Sequence, residues 1–221
     1  LRELAEYCRK KGIGFSSTPY SEPEVDFLVE VGASFIKIAS MELDNLEFIK
    51  YIAEKKVPLI LSTGMGEFEE IKRAVQIIEE TGNQNLILLH CVSIYPAREE
   101  MICLNNILGL REHFPNYPVG FSDHTVGDEA AIGAVTLGAA VIEKHLTLDK
   151  SKIGMDNQMA MEPVELKELA RRCRLMQKSL GTKERILTTE EYEQRKNMRR
   201  SIVSAHVIPK GTVFCREDIV F

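Results

Sequence analysis

A chain of 221 residues, 44% hydrophobic and 28% charged, has the make-up of a packed globular protein with one large domain, or one domain and a small companion. The net charge of −5 argues against a broad basic surface for nucleic acid, despite local clusters at Arg171, Arg172 and Arg174 and between Arg195 and Arg200, and no run approaches the roughly 18–20 apolar residues of a membrane-spanning helix. Five scattered cysteines with no CxxC pair point away from a disulfide-stapled secreted domain and towards a reducing, cytoplasmic setting.

LRELAEYCRKKG (1–12) reads as an amphipathic helix closed by Gly12. It begins without a methionine, and we expect the natural chain to extend upstream. IGFSST (13–18) reads as a short strand ending in hydroxyls, and SEPEVDFLVEVG (21–32) as a helix with a serine cap, an early proline and a closing glycine. SFIKIAS (34–40) is a strand, NLEFIKYIAEKK (45–56) a helix, VPLILSTG (57–64) a strand and EFEEIKRAVQIIEETG (67–82) a helix. NLILLHCVSIYP (85–96) gives a strand and its exit loop. A helical segment near 100–112 then leads to YPVGFSDHTVG (117–127), the small-residue helix DEAAIGAVTLG (128–138) and the strand AAVIEKHLTL (139–148). Beyond 150 the rhythm breaks. A loop precedes the long helix VELKELARRCRLMQKSLG (164–181), residues 188–200 form a charged linker or helix, and 201–221 alternate around a Pro-Lys-Gly turn like the opening of a small β domain.

The repeat of about 22–30 residues is the size of a strand–helix unit, and continuous apolar strands fit a parallel sheet covered on both faces. An open doubly wound sheet and a barrel both give this pattern. The barrel is favoured because polar residues collect at successive strand ends, where a (β/α)8 TIM barrel gathers its chemistry. Such a barrel has eight strands and about 250 residues. Six strands are counted here, so the α/β barrel is expected to be N-terminally incomplete by two units. The expected domains are a barrel over 1–181, a linker over 182–200 and a β-rich domain starting at 201.

His124 and His145 stand 21 residues apart at the ends of consecutive strands. Neighbouring strands lie about 4.8 Å apart, so two imidazoles at one level can reach one Zn, Fe, Ni or Mn ion, with water or substrate completing the shell. Two ordinary polar histidines at loop bases fit the sequence equally well. Alternation in EKH puts Glu143 and His145 on one face and Lys144 on the other. Lys37 within FIKIAS is costly in apolar surroundings and, facing inward, offers its charge to an anion. Lys144 reads as a second such charge or as a surface residue. Ser40, Ser62 and Thr63 add hydroxyls, and Gly64 and Gly66 free the backbone for close approach. STGMGE is no P-loop, so nucleotide binding has no support. A plain strand-to-helix turn would also read this way, but lysine and hydroxyls over several strand ends favour a small anionic substrate. Glu42 is a base, a carboxylate beside the metal or a helix-start residue. Tyr95 lines a pocket or packs, and Asp156 holds substrate hydroxyls or caps a turn.

The blocks GFSSTPY, FIKIASMELDNLEFI, LILSTGMG, LLHCVSIYPA, GFSDHTVG, VIEKHLTLD and GMDNQMAMEP, in this order, resemble the sialic acid synthase family, the nonulosonic acid synthases. RRSIVSAHVIPKG resembles the opening of that family's C-terminal antifreeze-like (SAF) domain. The resemblance implies a TIM barrel that condenses phosphoenolpyruvate with an N-acylated hexosamine. The product would be a nine-carbon 2-keto-3-deoxy acid, plus inorganic phosphate. It implies a divalent metal, usually Mn2+, on His124 and His145. It places phosphoenolpyruvate contacts on Lys37, Ser40, Ser62 and Ser122, with Ser93 where the family has asparagine. It puts Glu42 near the reacting centre and matches Glu143 to the family glutamate of EKH. Asp156 falls on the sugar-binding aspartate, and Tyr95 and Thr18 on pocket positions. A domain-swapped homodimer is also implied.

Two departures fall near the substrates: VSIYP replaces TNIYP, and GMDN replaces GPDH or GSDH, so Asn157 stands where the family has histidine. They bear on the acceptor, for which 2,4-diacetamido-trideoxyhexoses of legionaminic or pseudaminic type compete with N-acetylmannosamine. Other readings are a synthase of a shorter keto-deoxy acid, an aldolase forming a Schiff base at Lys37 or Lys144, and a non-catalytic sugar-binding relative.

Overall fold

A computed structural model describes residues 1–221, which divide into two compact units, Leu1–Leu180 and Gly181–Phe221. In the larger unit, α1 (Arg2–Lys11) and α2 (Glu22–Glu30) precede four strand–helix units: β1 (Ile36–Ile38) and α3 (Leu46–Glu54), β2 (Leu59–Ser62) and α4 (Phe68–Glu80), β3 (Leu86–Cys91) and α5 (Asn106–His113), β4 (Val119–Asp123) and α6 (Glu129–Thr136). β5 (Ile142–Lys144) and the long α7 (Pro163–Leu180) follow.

Local chemistry accounts for the boundaries. Gly12 ends α1 in the left-handed conformation, φ 69°. Asn45 accepts the Phe48 N–H to cap α3, and Glu67 and Glu70 form a reciprocal capping box on α4. Ser21 occupies the N-cap of α2 but makes no side-chain cap, contrary to the sequence expectation. The Glu24 carboxylate instead accepts the Tyr20 N–H at 2.6 Å.

The five strands are parallel and lie in chain order, β1-β2-β3-β4-β5. A doubly wound sheet reverses its strand order at a switch point; this one does not, and its helices share one apolar layer. Ile36, Ile38, Leu59, Leu61, Leu86, Leu88, Val119 and Phe121 point into that layer and pack with Ile49, Ile52, Ile71, Ile78 and Ile107 of the helices. The opposite face carries Lys37, Ser62, Cys91, Ser122 and Glu143, of which Cys91, Ser122 and Glu143 are register partners across β3, β4 and β5. One helix-covered face and one polar face in sequential order form an open, incomplete (β/α) barrel.

One strand expected from the sequence is absent. Residues 13–18 run beside β1, held by the Ser34 and Lys37 N–H groups on the Phe15 and Ser17 carbonyls, but no ladder forms. The Ser16 hydroxyl takes the Phe35 carbonyl at 2.7 Å, a side-chain bond that competes with strand pairing. The segment expected as a strand over 139–148 is regular only over Ile142–Lys144; beyond it, Leu146 bridges to Met161.

In the smaller unit, Thr188 and Glu191 form a capping box on α8 (Thr189–Met198). β6 (Val203–Ser204) and β7 (Ile219–Val220) pair antiparallel. Asp218 is buried among the Cys215 N–H and the His206 imidazole, at 2.7 and 2.9 Å. All five cysteines are free thiols, and no helix is long and apolar enough to cross a membrane.

Candidate active site

The polar face of the sheet assembles a connected set of side chains at the strand ends. Lys37 of β1, its side chain only 13% exposed, pairs with Glu143 of β5 at 3.6 Å. The other Glu143 oxygen accepts the Ser122 hydroxyl at 2.6 Å, and Ser122 Oγ lies 3.4 Å from His124 Nε2. The His124 and His145 rings meet edge to face, with centroids 5.4 Å apart. Tyr95 lies against both, at 4.1 and 5.8 Å, and Asp156 approaches His145 Nδ1 at 3.7 Å. The Tyr95–Pro96 peptide is cis. Burial and the nearby Cys91, Asp156 and Glu143 raise the Tyr95 phenol above its usual range, so it stays protonated.

The tautomer of His124 follows from its partners. Its Nδ1–H donates to the Val92 carbonyl at 2.7 Å, which turns Nε2 into the site. Burial opposes a charge on the ring, but hydrogen bonds to Cys91 and Val92 outweigh it and raise its pKa above the ordinary imidazole value, so the neutral, coordinating form is reached as pH rises. The single proton of Ser122 is committed to Glu143, so Ser122 donates none to Nε2. Burial and the neighbouring His124 hold His145 below the ordinary imidazole value, in the neutral, ligating form. The backbone is fixed at both points: the Ala97 N–H binds the His124 carbonyl at 2.9 Å and the Met161 N–H that of His145 at 2.8 Å. No three histidine, cysteine, aspartate or glutamate side chains form a closed metal cage. Two imidazoles, one held by a carbonyl on its far nitrogen, fit in their neutral forms a divalent ion whose other positions go to substrate and water.

A second cluster adjoins the first. The Gly64 N–H donates to Ser40 Oγ at 3.0 Å, and Cys91 Sγ lies 3.8 to 4.0 Å from Ser40 Oγ, Ser93 Oγ and His124 Nδ1. Gly64 is required by this crowding, because a Cβ there would press on Ser93, Ser40 and Cys91. The Ser62 hydroxyl, on the same face, is the one buried side-chain polar atom without a hydrogen-bond partner. An orphaned hydroxyl costs about 1–3 kcal/mol and persists where a ligand can satisfy it. Ser62→Ala is therefore expected to stabilise the ligand-free protein by about 1 kcal/mol, visible as a raised thermal midpoint, while weakening anion binding. A lower midpoint with unchanged anion affinity would contradict this.

Several residues singled out from the sequence lie elsewhere. Lys144 is neither a second anion-binding charge nor a surface residue: its side chain is buried in an ion pair with Asp123 at 2.8 Å, on the helix side. His90 also points to that side, where it donates to the Ile102 carbonyl at 2.6 Å and stacks on Phe121. Thr63 spends its hydroxyl on the Leu89 carbonyl. Glu42 sits on a 3-10 turn with its carboxylate on Asn45, and neither it nor Thr18 bonds to the cluster. Asn157 lies in the loop after β5, its amide on the Lys152 carbonyl. Cys91 was missed, although alternation along Leu89, Cys91 and Ser93 places it on the polar face and His90 off it. A cavity of about 350 Å³ opens among Phe68, Leu110 and His113 on the helix side and is lined by none of the Lys37–His145 chain.

Comparison with known proteins gives the family. Residues 1–185 match the NeuB family. The chain belongs to that family, the sialic acid synthases. The chain is 40% identical to the N,N'-diacetyllegionaminic acid synthase of Campylobacter jejuni, over 99% of its own length and 66% of the relative's. It is 35% identical to the human N-acetylneuraminate-9-phosphate synthase, over 96% and 59%. The crystal structure of N-acetylneuraminic acid synthetase from Leptospira borgpetersenii superposes with a TM-score of 0.82 at 36% identity, covering 90% of this chain and 70% of that one. The chain thus spans less than two thirds of the length of the two curated relatives.

Proposed function

We propose that this protein condenses phosphoenolpyruvate with an N-acylated amino sugar to a nine-carbon 2-keto-3-deoxy acid, releasing inorganic phosphate. Glu143 carries the reading: it pairs with Lys37 on one oxygen and accepts from Ser122 on the other, so the anion-binding lysine and the two histidines belong to one site. A carbon–carbon condensation needs such adjacency, since the reacting atoms must be held roughly 3–3.5 Å apart.

Lys37, Ser40, Ser62, Ser93 and Ser122 hold the phosphate and carboxylate of phosphoenolpyruvate, with the Gly64 N–H beside them. His124 and His145 hold a divalent ion, Mn2+ in this reading, which when bound supplies Lewis-acid polarisation of the sugar carbonyl. Tyr95 and Thr18 line the sugar pocket, and Asp156 binds sugar hydroxyls. Glu143 handles a proton at the reacting centre. Glu42 is the alternative, and the two separate by experiment. Glu143→Gln is expected to cost about 10²- to 10⁴-fold in turnover, the range for a general acid or base, and Glu42→Gln less than about 10-fold. The reverse order would return the role to Glu42. The burial of Lys144 removes one Schiff-base lysine from consideration.

The barrel, over 1–181, serves as the catalytic domain, and residues from 201 open the antifreeze-like domain. The working form is a cytoplasmic, domain-swapped homodimer. Relatives that make legionaminic and sialic acids are similarly close, at 40% and 36% identity, so the acceptor is assigned as a class. The test is phosphate release by the full-length protein with phosphoenolpyruvate and Mn2+. The acceptors are N-acetylmannosamine, its 6-phosphate and 2,4-diacetamido-trideoxyhexoses. Release with one sugar, abolished by chelator, is expected. No release from folded, metal-loaded protein would favour the sugar-binding alternative.

A further inference from the structure

Behind the two histidines lies a buried ion pair that the proposed reaction does not use. Lys144 Nζ donates to Asp123 Oδ2 at 2.8 Å, and the two side chains are 2% and 0% exposed. Lys144 Nζ also donates to the Thr125 carbonyl at 2.6 Å. Asp123 Oδ1 accepts both the Thr125 N–H and its hydroxyl, at 2.8 and 2.7 Å. Asp123 and Lys144 are register partners across β4 and β5.

The placement gives this network its meaning. His124 lies between Asp123 and Thr125, both tied to Lys144, and His145 is the residue after Lys144. Two bonds from Lys144, and two more between Thr125 and Asp123, therefore tie the residues on both sides of one imidazole to the residue preceding the other. An apolar pair would hold the strands together without the desolvation cost of two buried charges, but without directional bonds; fixing register is the best attested use of a buried pair. We propose that Asp123 and Lys144 are positioning residues that set the separation and orientation of His124 and His145 for one divalent cation. This rests on the reading of the histidines as its ligands.

The test measures Mn2+ dissociation constants, from the electron paramagnetic resonance of the free ion, and thermal midpoints in chelator, on the full-length protein. Four proteins are compared: the parent, His124→Ala, the double variant Asp123→Asn/Lys144→Met, and Thr125→Val. The double variant leaves no charge unpaired and is expected to keep its midpoint near the parent's. Its Mn2+ affinity should fall about 10- to 100-fold, the usual cost of disturbing what orients a metal ligand. Thr125→Val deletes one hydroxyl bond to Asp123 and is expected to weaken binding severalfold while staying folded, so it decides the matter should the double variant not fold. If parent and His124→Ala bind Mn2+ alike, the histidine reading fails and the proposal with it. If His124→Ala loses the ion while every folded network variant keeps parental affinity, the histidine reading stands and the positioning role is overturned.

Discussion

A His124→Ala protein is expected to lose tight Mn2+ binding and most of its turnover while remaining folded. Nε2 of His124 is turned towards the site by the bond from Nδ1–H to the Val92 carbonyl. Removing it leaves His145 as the only imidazole ligand, and affinity should fall by more than the roughly 10- to 100-fold that outer contacts cost. Polarisation worth several kcal/mol corresponds to roughly 10²- to 10³-fold in rate. The fold should tolerate the change, because the Val92 carbonyl keeps the Ile94 N–H at 2.9 Å and is not orphaned. A midpoint within a few degrees of the parent, with metal and turnover both lost, is the expected pattern. Retention of both would remove His124 from the site.

The parts of this site that were legible in the sequence depend on a rule of period two. Alternation separated Glu143 and His145 from Lys144 and set Lys37 against its neighbours, because a pleated strand leaves each side chain only two directions. Cys91 obeys the same rule, which sends its neighbour His90 to the helix side, onto the Ile102 carbonyl. What stayed hidden needs register. Asp123 and Lys144 are 21 residues apart, and nothing in their spacing shows that β4 and β5 align them as partners. The loss of a strand over 13–18 was equally invisible, since it turns on the Ser16 hydroxyl reaching a carbonyl of the neighbouring segment. Long-range pairing depends on how elements pack, and local composition does not encode it.

The two polar networks differ in what they leave unfilled. Asp123 and Lys144 are satisfied by each other and by Thr125, as a buried network must be if it is to stiffen a structure. On the opposite face Ser62 has no partner, His124 Nε2 meets only the Ser122 hydroxyl at a long 3.4 Å, and Lys37 meets its carboxylate at 3.6 Å. Unsatisfied groups gathered on one face beside a satisfied brace are what a preorganised binding site requires: the cost is borne before substrate arrives.

Gly64→Ala is expected to impair anion binding by about 100-fold, the scale of a misplacement near 1 Å in a site that positions its reactants. The methyl group would stand 2.8 Å from Ser40 Oγ and 3.2 Å from Cys91 Sγ and closer still to Ser93 Oγ, all within normal contact distance. Rotating the hydroxyls away relieves the clash but withdraws two donors from the proposed anion site. Holding them in place instead forces the loop outward and carries the Gly64 N–H off Ser40. Overpacking of this kind costs about 1–3 kcal/mol in stability, so the folded protein should survive with a lowered midpoint. Gly109→Ala is the control: its Cβ would meet nothing within 4 Å, and it lies inside α5, where alanine is the better helix former. Phosphoenolpyruvate titration of the two proteins should separate them. Weakened binding confined to Gly64→Ala locates the anion among Ser40, Ser93 and the Gly64 N–H, whereas parental affinity in both would move it elsewhere on the polar face.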